Sequence, residues 1–409
     1  MQKRKNTGLY VPEPLARPGD GVDFSHIEIP DAGIVAKPPV DVPGADIRDL
    51  PYALIRTLND NGDAVGDWCP EASAKDLLVA LRAMLTTRVF DDRMFVKQRQ
   101  GKTSFFLKST GEETLSVVPS LALRTDDMCF PTYRLVGWLM ARNYPLIDLV
   151  NQIFSNERDP LQGKQLPVLY SAREYGFYSL SGNVGSRFGH AVGWAMAKSY
   201  RGADDIAIGY IGEGTTAEGD FHAAMTFASV YKAPVILCVT NNQWAISSFS
   251  GIAGGNETTF AAKALAYGIP GLRVDGNDPL AVWAATEWAA ARARAGYGAT
   301  LIEYFTYRVE GHSTSDDPTS YRPKEEALQW PLGDPIQRLK EHLIQIGQWD
   351  DDRHEKLIAD VMHTVKAAIR EGEAVGTLGA SKPNVSEMFN GVFEEPDWRS
   401  REQRDDVGA

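Results

Sequence analysis

Two short runs of branched apolar residues, 206–211 and 234–240, flank a stretch with helical spacing, and this triplet constrains the fold more than any other part of the chain. Apolar runs of that length suit strands of a sheet covered on both faces. Between them, Phe221, Met225, Ala228 and Tyr231 recur every three to four residues, so they mark one face of a helix. Thr215-Thr216-Ala217-Glu218 has the Ser/Thr-x-x-Glu form of a capping box and predicts the helix start there, while Pro234 stops the helix. Strand, helix and strand of this size make one right-handed βαβ unit, with ligands expected at the carboxyl ends of the strands.

The residues at those ends carry chemistry. Gly212 and Gly214 let the backbone approach a ligand, and the free amides of a helix start attract phosphate. Glu213 adds a carboxylate and Asn242, leaving the second strand, adds a neutral amide oxygen. Magnesium takes hard oxygen ligands and commonly only one or two from protein, with phosphate and water filling the rest. The pair therefore suits a metal diphosphate, against the plainer reading of a tight βα connection and an Asn-Asn turn. Gly212-x-Gly214-x-x-Ala217 also matches the relaxed dinucleotide fingerprint. That reading needs an acidic residue at the end of the second strand, where the chain has Thr240-Asn241-Asn242. No Gly-Lys-Ser/Thr follows, which excludes a P-loop.

A chain of 409 residues can bury one large α/β domain with extensions. Its net charge of −12 and lack of a basic run interleaved with aromatics argue against a nucleic-acid surface. Cys69, Cys129 and Cys238 are widely spaced, indicating neither a disulfide framework nor a zinc site, and an intracellular protein is expected. The basic start, Met1 to Lys5, lacks the apolar stretch of a secretory signal and the pattern of a transit peptide, which favours the bacterial cytoplasm. No segment is long enough to span a membrane.

Residues 1–70 are proline-rich with little helical period and read as an extended arm, anchored by Ile27, Ile29, Ile34, Val35 and Val40. Leu77, Leu81, Leu85 and Val89 mark a long amphipathic helix opening a domain that runs from 71 to 373. Further strands are expected at 272–275 and 301–307, around an alanine-rich helix at 279–295. Helices with Ile336, Leu339, Leu343 and Ile346 on one face follow, then a tail at 374–409 whose charged end frays or docks on a partner. Gly185, Gly189, Gly193 and Ala197 form a bare stripe despite a helix cost of about 1 kcal/mol per glycine. Such a stripe implies close packing, either within the chain or at a subunit interface.

The ordered motifs resemble a known family. Gly212-Glu213-Gly214 with Asn241-Asn242 is similar to the thiamin-diphosphate motif. Gly311-His312-Ser313-Thr314-Ser315-Asp316-Asp317, followed by Tyr321-Arg322, resembles a loop of the alpha subunits of branched-chain 2-oxoacid dehydrogenases. Phe130 to Arg134 and Arg273 to Asp278 resemble that family too, and the similarity runs from about Ala72 to Trp349. It implies a three-layer α/β/α thiamin-diphosphate-binding fold with a mostly parallel sheet. The implied activity is oxidative decarboxylation of branched-chain 2-oxo acids with reductive acylation of a lipoyl group.

The resemblance also implies roles. Glu213, Asn242 and the backbone carbonyl of Trp244 would hold Mg2+; Gly212, Gly214, Thr215, Tyr133 and Arg134 would meet the diphosphate. Gly182 and Val184 would meet the aminopyrimidine, Ile246 would lie beneath the cofactor, and Phe105 would stand near the substrate side chain. His312 would be catalytic and bind phosphate, with Asp316 and Tyr321 ordering its loop. Ser313 coincides with a position phosphorylated in animal members; without such a kinase it is expected to serve only a local loop hydrogen bond. The glycine stripe would lie at an interface between subunits.

Two positions depart from the animal branch. Thr240 stands where those chains have arginine, so one phosphate contact is missing or replaced. Arg187 stands where they have a glutamine near a monovalent cation, flanked by Ser181, Asn183 and Ser186, and its guanidinium is expected to replace the cation. The family's activating glutamate belongs to a beta subunit, so two alpha and two beta chains are expected to form the enzyme, with the lipoyl-bearing acyltransferase as the next partner. Pyruvate or acetoin dehydrogenase alpha subunits are the nearest alternatives. A nicotinamide oxidoreductase and a binding subunit without chemistry are alternatives of other classes.

Overall fold

The computed structural model describes residues 8–378, 380, 384–391 and 393–409; the basic start Met1 to Lys5 lies outside them. Six strands form one sheet: β1 (Leu54–Ile55), β2 (Met128–Phe130), β3 (Ala207–Gly212), β4 (Val235–Asn241), β7 (Gly271–Asp275) and β8 (Thr300–Phe305). A two-stranded hairpin, β5 (Trp244–Ala245) with β6 (Ser248–Phe249), lies beyond the end of β4. The sheet order is β1-β7-β8-β4-β3-β2 and every pairing is parallel. Successive strand side chains face opposite sides. Ile208, Tyr210, Ile236, Cys238, Ile302 and Tyr304 accordingly enter one core, while Ala207, Ile211, Leu237, Val239 and Leu301 enter another.

Helices cover both faces. On the first lie α1 (Ala74–Arg99), α2 (Glu113–Ala122), α3 (Val136–Ala141) and α4 (Leu146–Phe154). On the second lie α5 (Ser186–Tyr200) and α6 (Gly219–Val230). The first face is completed by α7 (Pro279–Arg294), α8 (Pro335–Gln345) and α9 (Asp351–Val375), and α10 (Trp398–Asp406) ends the chain with no buried residue. This is the three-layer arrangement expected. Removing one fully buried aliphatic, as in Ile208→Ala, is expected to cost about 2–5 kcal/mol through lost transfer energy and the cavity left.

Helix α1 begins where its residues dictate: the Ser73 hydroxyl accepts from the Asp76 amide (3.2 Å) and Asp76 returns a bond to Ser73, a complete capping box. The box predicted at Thr215–Glu218 does not form. Residues Glu213–Ala217 instead make a 3-10 turn in which Thr216 Oγ1 donates to the Glu213 carbonyl (2.7 Å), and α6 starts at Gly219 without a side-chain cap. Tyr231 and Ile346 also differ from expectation: both follow the last turn of their helices and are exposed.

The arm is tied to the domain more firmly than its composition suggests. Its end supplies the edge strand β1, paired with β7, and the Thr57 and Leu58 amides each donate to Asp278 at 2.7 Å. Arg292 and Trp288 of α7 donate to the arm carbonyls of Val40, Val42 and Pro38 at 2.6–2.8 Å. Of the five apolar anchors, Ile27, Ile29, Val35 and Val40 pack on the domain and Ile34 is exposed.

Candidate functional site

The register of the sheet builds the first half of the site. Gly212 on β3 pairs with Thr240 on β4, so Glu213 and Asn242 leave neighbouring strands at the same end. Gly214 permits the turn above them: a Cβ there would stand 2.6 Å from the Ala245 Cβ. No atom of the described residues lies within 4 Å of a Cβ built on Gly212, which leaves its backbone open to a ligand. Glu213 is 1 % exposed and its Oε1 has no hydrogen-bond partner among the described residues. Burial pushes its carboxyl up to about 7, with the Asn242 backbone amide and Arg308 among the groups that pull it back. A buried, unpartnered carboxylate oxygen costs free energy unless something cationic meets it. Glu213 and Asn242 thus fit a hard divalent cation.

The Asn242 side chain has definite partners. Its Nδ2 donates to Glu112 Oε1 (2.9 Å), which leaves the amide oxygen for another partner; the Trp244 amide meets that oxygen only at 3.4 Å. The Trp244 carbonyl accepts from Arg308 Nη1 (2.8 Å), and its second lone pair remains. Ile246 holds φ +56 and is 54 % exposed. A β-branched residue in the left-handed region is strained, and such strain persists where the surroundings impose it. The Arg308 bond to the Ile246 carbonyl (2.8 Å) is one such restraint.

The second half comes from distant segments. Arg134 is 5 % exposed rather than in solvent, and donates to the carbonyls of Lys108 and His312, the latter at 2.7 Å. Its Nε lies 3.8 Å from Glu112 Oε1. The Tyr133 ring meets His312 edge-on, with centroids 5.8 Å apart. Burial, then Arg134 and Arg308, lower the His312 imidazole to about 4, so it is neutral at ordinary pH. The loop is ordered by the residues singled out for it: the His312 amide and the Tyr321 hydroxyl both donate to Asp316 Oδ2, at 2.5 and 2.7 Å. Arg308 Nη2 in turn donates to the Tyr321 hydroxyl (2.7 Å), so one guanidinium fastens the loop and the β5 strand together. Phe105 precedes a two-bond junction, Thr314 amide to Phe106 carbonyl (3.0 Å) and Phe106 amide to Thr314 hydroxyl (3.2 Å). Ser313 makes a local bond, accepting from the Ser315 amide at 3.2 Å.

Gly182 and Val184 lie exposed on a loop before α5. Arg187 is buried beneath that loop and donates to the Ser181 carbonyl (2.5 Å) and the Val184 carbonyl (3.1 Å). Along α5, Gly185 packs on Asp220, but Gly189, Gly193 and Ala197 are exposed and both glycines have open space above them. Thr215 is buried in the 3-10 turn, and Thr240 is buried opposite Gly212. A separate cavity of about 1000 Å3 lies between the arm and the hairpin, lined by Phe24, Ile27, Phe249 and Arg273, and it touches the strand-end cluster only through Gln243 and Trp244.

Sequence reasoning missed Glu112 and Arg308. Glu112-Glu113, adjacent acids after Gly111, was an available signal, since two consecutive carboxylates before an apolar helix are rarely both buried without partners. Arg308, inside an apolar run, was another. Among the described residues no helix is long and apolar enough to cross a membrane.

Comparisons with known proteins show the family of the chain. The profile of the dehydrogenase E1 component family matches residues 81–381, and that of the 2-oxoisovalerate dehydrogenase E1 alpha subunit N terminal matches residues 6–45. The chain is 53 % identical over 402 residues to the 2-oxoisovalerate dehydrogenase subunit alpha of Pseudomonas aeruginosa, covering 98 % of each chain. It is 36 % identical to the mitochondrial 2-oxoisovalerate dehydrogenase subunit alpha of Mus musculus, over 83 % of this chain and 75 % of that one. It is 34 % identical to a pyruvate dehydrogenase E1 component subunit alpha of Staphylococcus aureus, over 84 % and 90 %. The chain belongs to the dehydrogenase E1 component family, which is dependent on thiamin diphosphate.

Proposed function

We propose that this chain is the alpha subunit of a branched-chain 2-oxoacid dehydrogenase, decarboxylating substrates such as 3-methyl-2-oxobutanoate and acylating the lipoyl group of an acyltransferase partner. The observation that carries the reading is the buried, unpartnered Glu213 oxygen beside Asn242, at the end of a parallel sheet that also carries Arg134 and His312. The branched-chain assignment over pyruvate is supported by the match of residues 6–45 to the N-terminal profile and by the higher identity to the Pseudomonas relative.

In this reading Glu213, Asn242 and the Trp244 carbonyl hold Mg2+, and Gly212, Gly214, Thr215, Tyr133, Arg134 and His312 receive the diphosphate. Bound thiamin diphosphate supplies the electron sink that decarboxylation needs and side chains lack. The chain's own residues bind and orient. Arg134 offers a planar pair of donors to phosphate oxygens. Ile246, exposed with a left-handed backbone, supports the cofactor, and the backbone at Gly182 and Val184 meets its pyrimidine. Neutral His312 has an imidazole nitrogen able to accept or donate a proton during acyl transfer. Phe105 limits the substrate side chain. Arg187, bonded to two carbonyls of the 181–185 loop, takes the place of a monovalent cation.

A beta subunit completes the enzyme, two alpha with two beta chains, in the bacterial cytoplasm. The exposed Gly189, Gly193 and Ala197 stripe on α5 supports contact with another subunit, because close helix approach needs small residues and nothing in the described chain occupies that space. The decisive experiment is 2-oxo-acid decarboxylation with an artificial electron acceptor, using the chain alone and with its beta partner, with and without magnesium and thiamin diphosphate. Activity is expected only with partner and both cofactors. Activity without them overturns the reading, and a preference for pyruvate over 3-methyl-2-oxobutanoate overturns the branched-chain assignment.

A further inference from the structure

Glu112 occupies the N-cap position of α2, where a carboxylate ordinarily accepts from the first amides of the helix, yet its side chain makes no capping bond. It turns away from its own helix, is 4 % exposed, and accepts from Asn242 Nδ2 at 2.9 Å, with Arg134 Nε 3.8 Å from the same oxygen. The adjacent Glu113 is spent elsewhere, on Arg88 (2.7 Å) and the Gly111 amide (3.0 Å). The two acids thus point to different tasks: one ties α1 to α2, the other reaches into the strand-end cluster.

The bond to Asn242 has a directional consequence. An amide side chain can present either its oxygen or its nitrogen to a cation, and only the oxygen binds. An acceptor-only carboxylate on one side of the amide fixes the nitrogen toward itself and the oxygen away. We infer that Glu112 is a positioning residue that holds the Asn242 amide in its metal-binding orientation; the inference rests on the proposed magnesium role of Asn242. Outer groups that orient metal ligands typically contribute 10–100-fold to metal affinity.

Two variants separate hydrogen bonding from charge. Glu112→Gln retains the reach and an accepting oxygen, which the donors of Asn242 and Arg134 at that point select over its amide nitrogen, but loses the charge beside Arg134. Glu112→Asp retains the charge but withdraws the carboxylate by one methylene. The measurement is the magnesium concentration needed for half-maximal binding of thiamin diphosphate to the assembled alpha and beta chains, by calorimetry, with Mn2+ binding followed by electron paramagnetic resonance. Melting of each variant without cofactors reports whether it folds.

Glu112→Asp is expected to raise the magnesium requirement by about tenfold or more. Glu112→Gln is expected to stay close to the unaltered protein. The reverse order, or equal requirements in both variants, overturns the inference. Glu213→Ala distinguishes failures: if it binds magnesium and thiamin diphosphate as the unaltered protein does, the functional reading falls with it. If Glu213→Ala loses binding while both Glu112 variants retain it, only the role of Glu112 falls.

Discussion

The two halves of the site are built in opposite ways. Glu213 and Asn242 are carried by adjacent strands of one βαβ unit, so their separation follows from the β3–β4 register. His312 is carried by a loop held by side-chain bonds: a long-range one from Arg134 to its carbonyl across 178 positions of sequence, and nearer ones from Arg308 through Tyr321 to Asp316. A register is a cooperative property of a whole strand pair, and shifting it by one residue would turn every side chain to the other face. A loop held by a few guanidinium bonds can come loose when one is cut. The strand-end half should therefore lose affinity without losing shape, and the loop half should lose shape first.

Glu213→Ala tests that contrast most severely. Its magnesium-dependent affinity for thiamin diphosphate is expected to fall more than about 100-fold, beyond the usual effect of removing an outer-shell group. The fold should remain, so circular dichroism and cofactor-free melting should match the unaltered chain or show a stabler one, because an unpartnered buried carboxylate is gone. A melted variant would contradict the division between affinity and shape.

Arg308→Lys keeps the charge but cannot span the Trp244, Ile246 and Tyr321 oxygens that the guanidinium fork reaches. Each acceptor left unsatisfied costs about 1–3 kcal/mol. Hydrogen exchange should accelerate in residues 311–317, and lipoyl acylation should fall more than decarboxylation. Unchanged exchange in that loop would place its order in other contacts.

His312 provides a pH test. Its folded value of about 4 lies below the ordinary 6.5. The unfolded chain therefore takes up the proton first, and the folded state loses relative stability as pH falls from 6.5 toward 4. The melting temperature of His312→Gln should gain on that of the unaltered chain between pH 7 and pH 5. A constant difference over that interval would mean that the imidazole is not desolvated. The smallest effect is expected from Arg187→Gln, a several-fold loss of thiamin diphosphate affinity recovered by potassium chloride but not by sodium chloride. Loss without recovery would remove the idea that the guanidinium stands in for a cation.

Much of the strand-end half was legible because its signals are local. Apolar runs at 206–211 and 234–240 gave the strands to within a residue, and the oxygen-bearing side chains of Glu213 and Asn242 directly follow them. Local patterns also misled: Thr215 to Glu218 has the composition of a capping box, but Thr215 to Ala217 lie in a 3-10 turn in which Thr216 bonds back to the Glu213 carbonyl instead of capping a helix. Tyr231 and Ile346 continue a helical period past the point where the helix stops. Glu112 and Arg308 were overlooked because their partners lie 130 and 64 positions away, and no spacing rule connects them.

The amino-acid order alone determined the alternation of strands and helices, the parallel pairing of runs 206–211 and 234–240, and the types of oxygen donor at the carboxyl ends of those strands, because periodicity and side-chain chemistry are properties of neighbouring residues. Tertiary structure decided which donors are buried without partners, which face of the Asn242 amide turns outward, and that the arm closes the sheet through Leu54–Ile55. Those outcomes depend on which distant groups exclude water from one another, and desolvation exists only once the chain has closed around them.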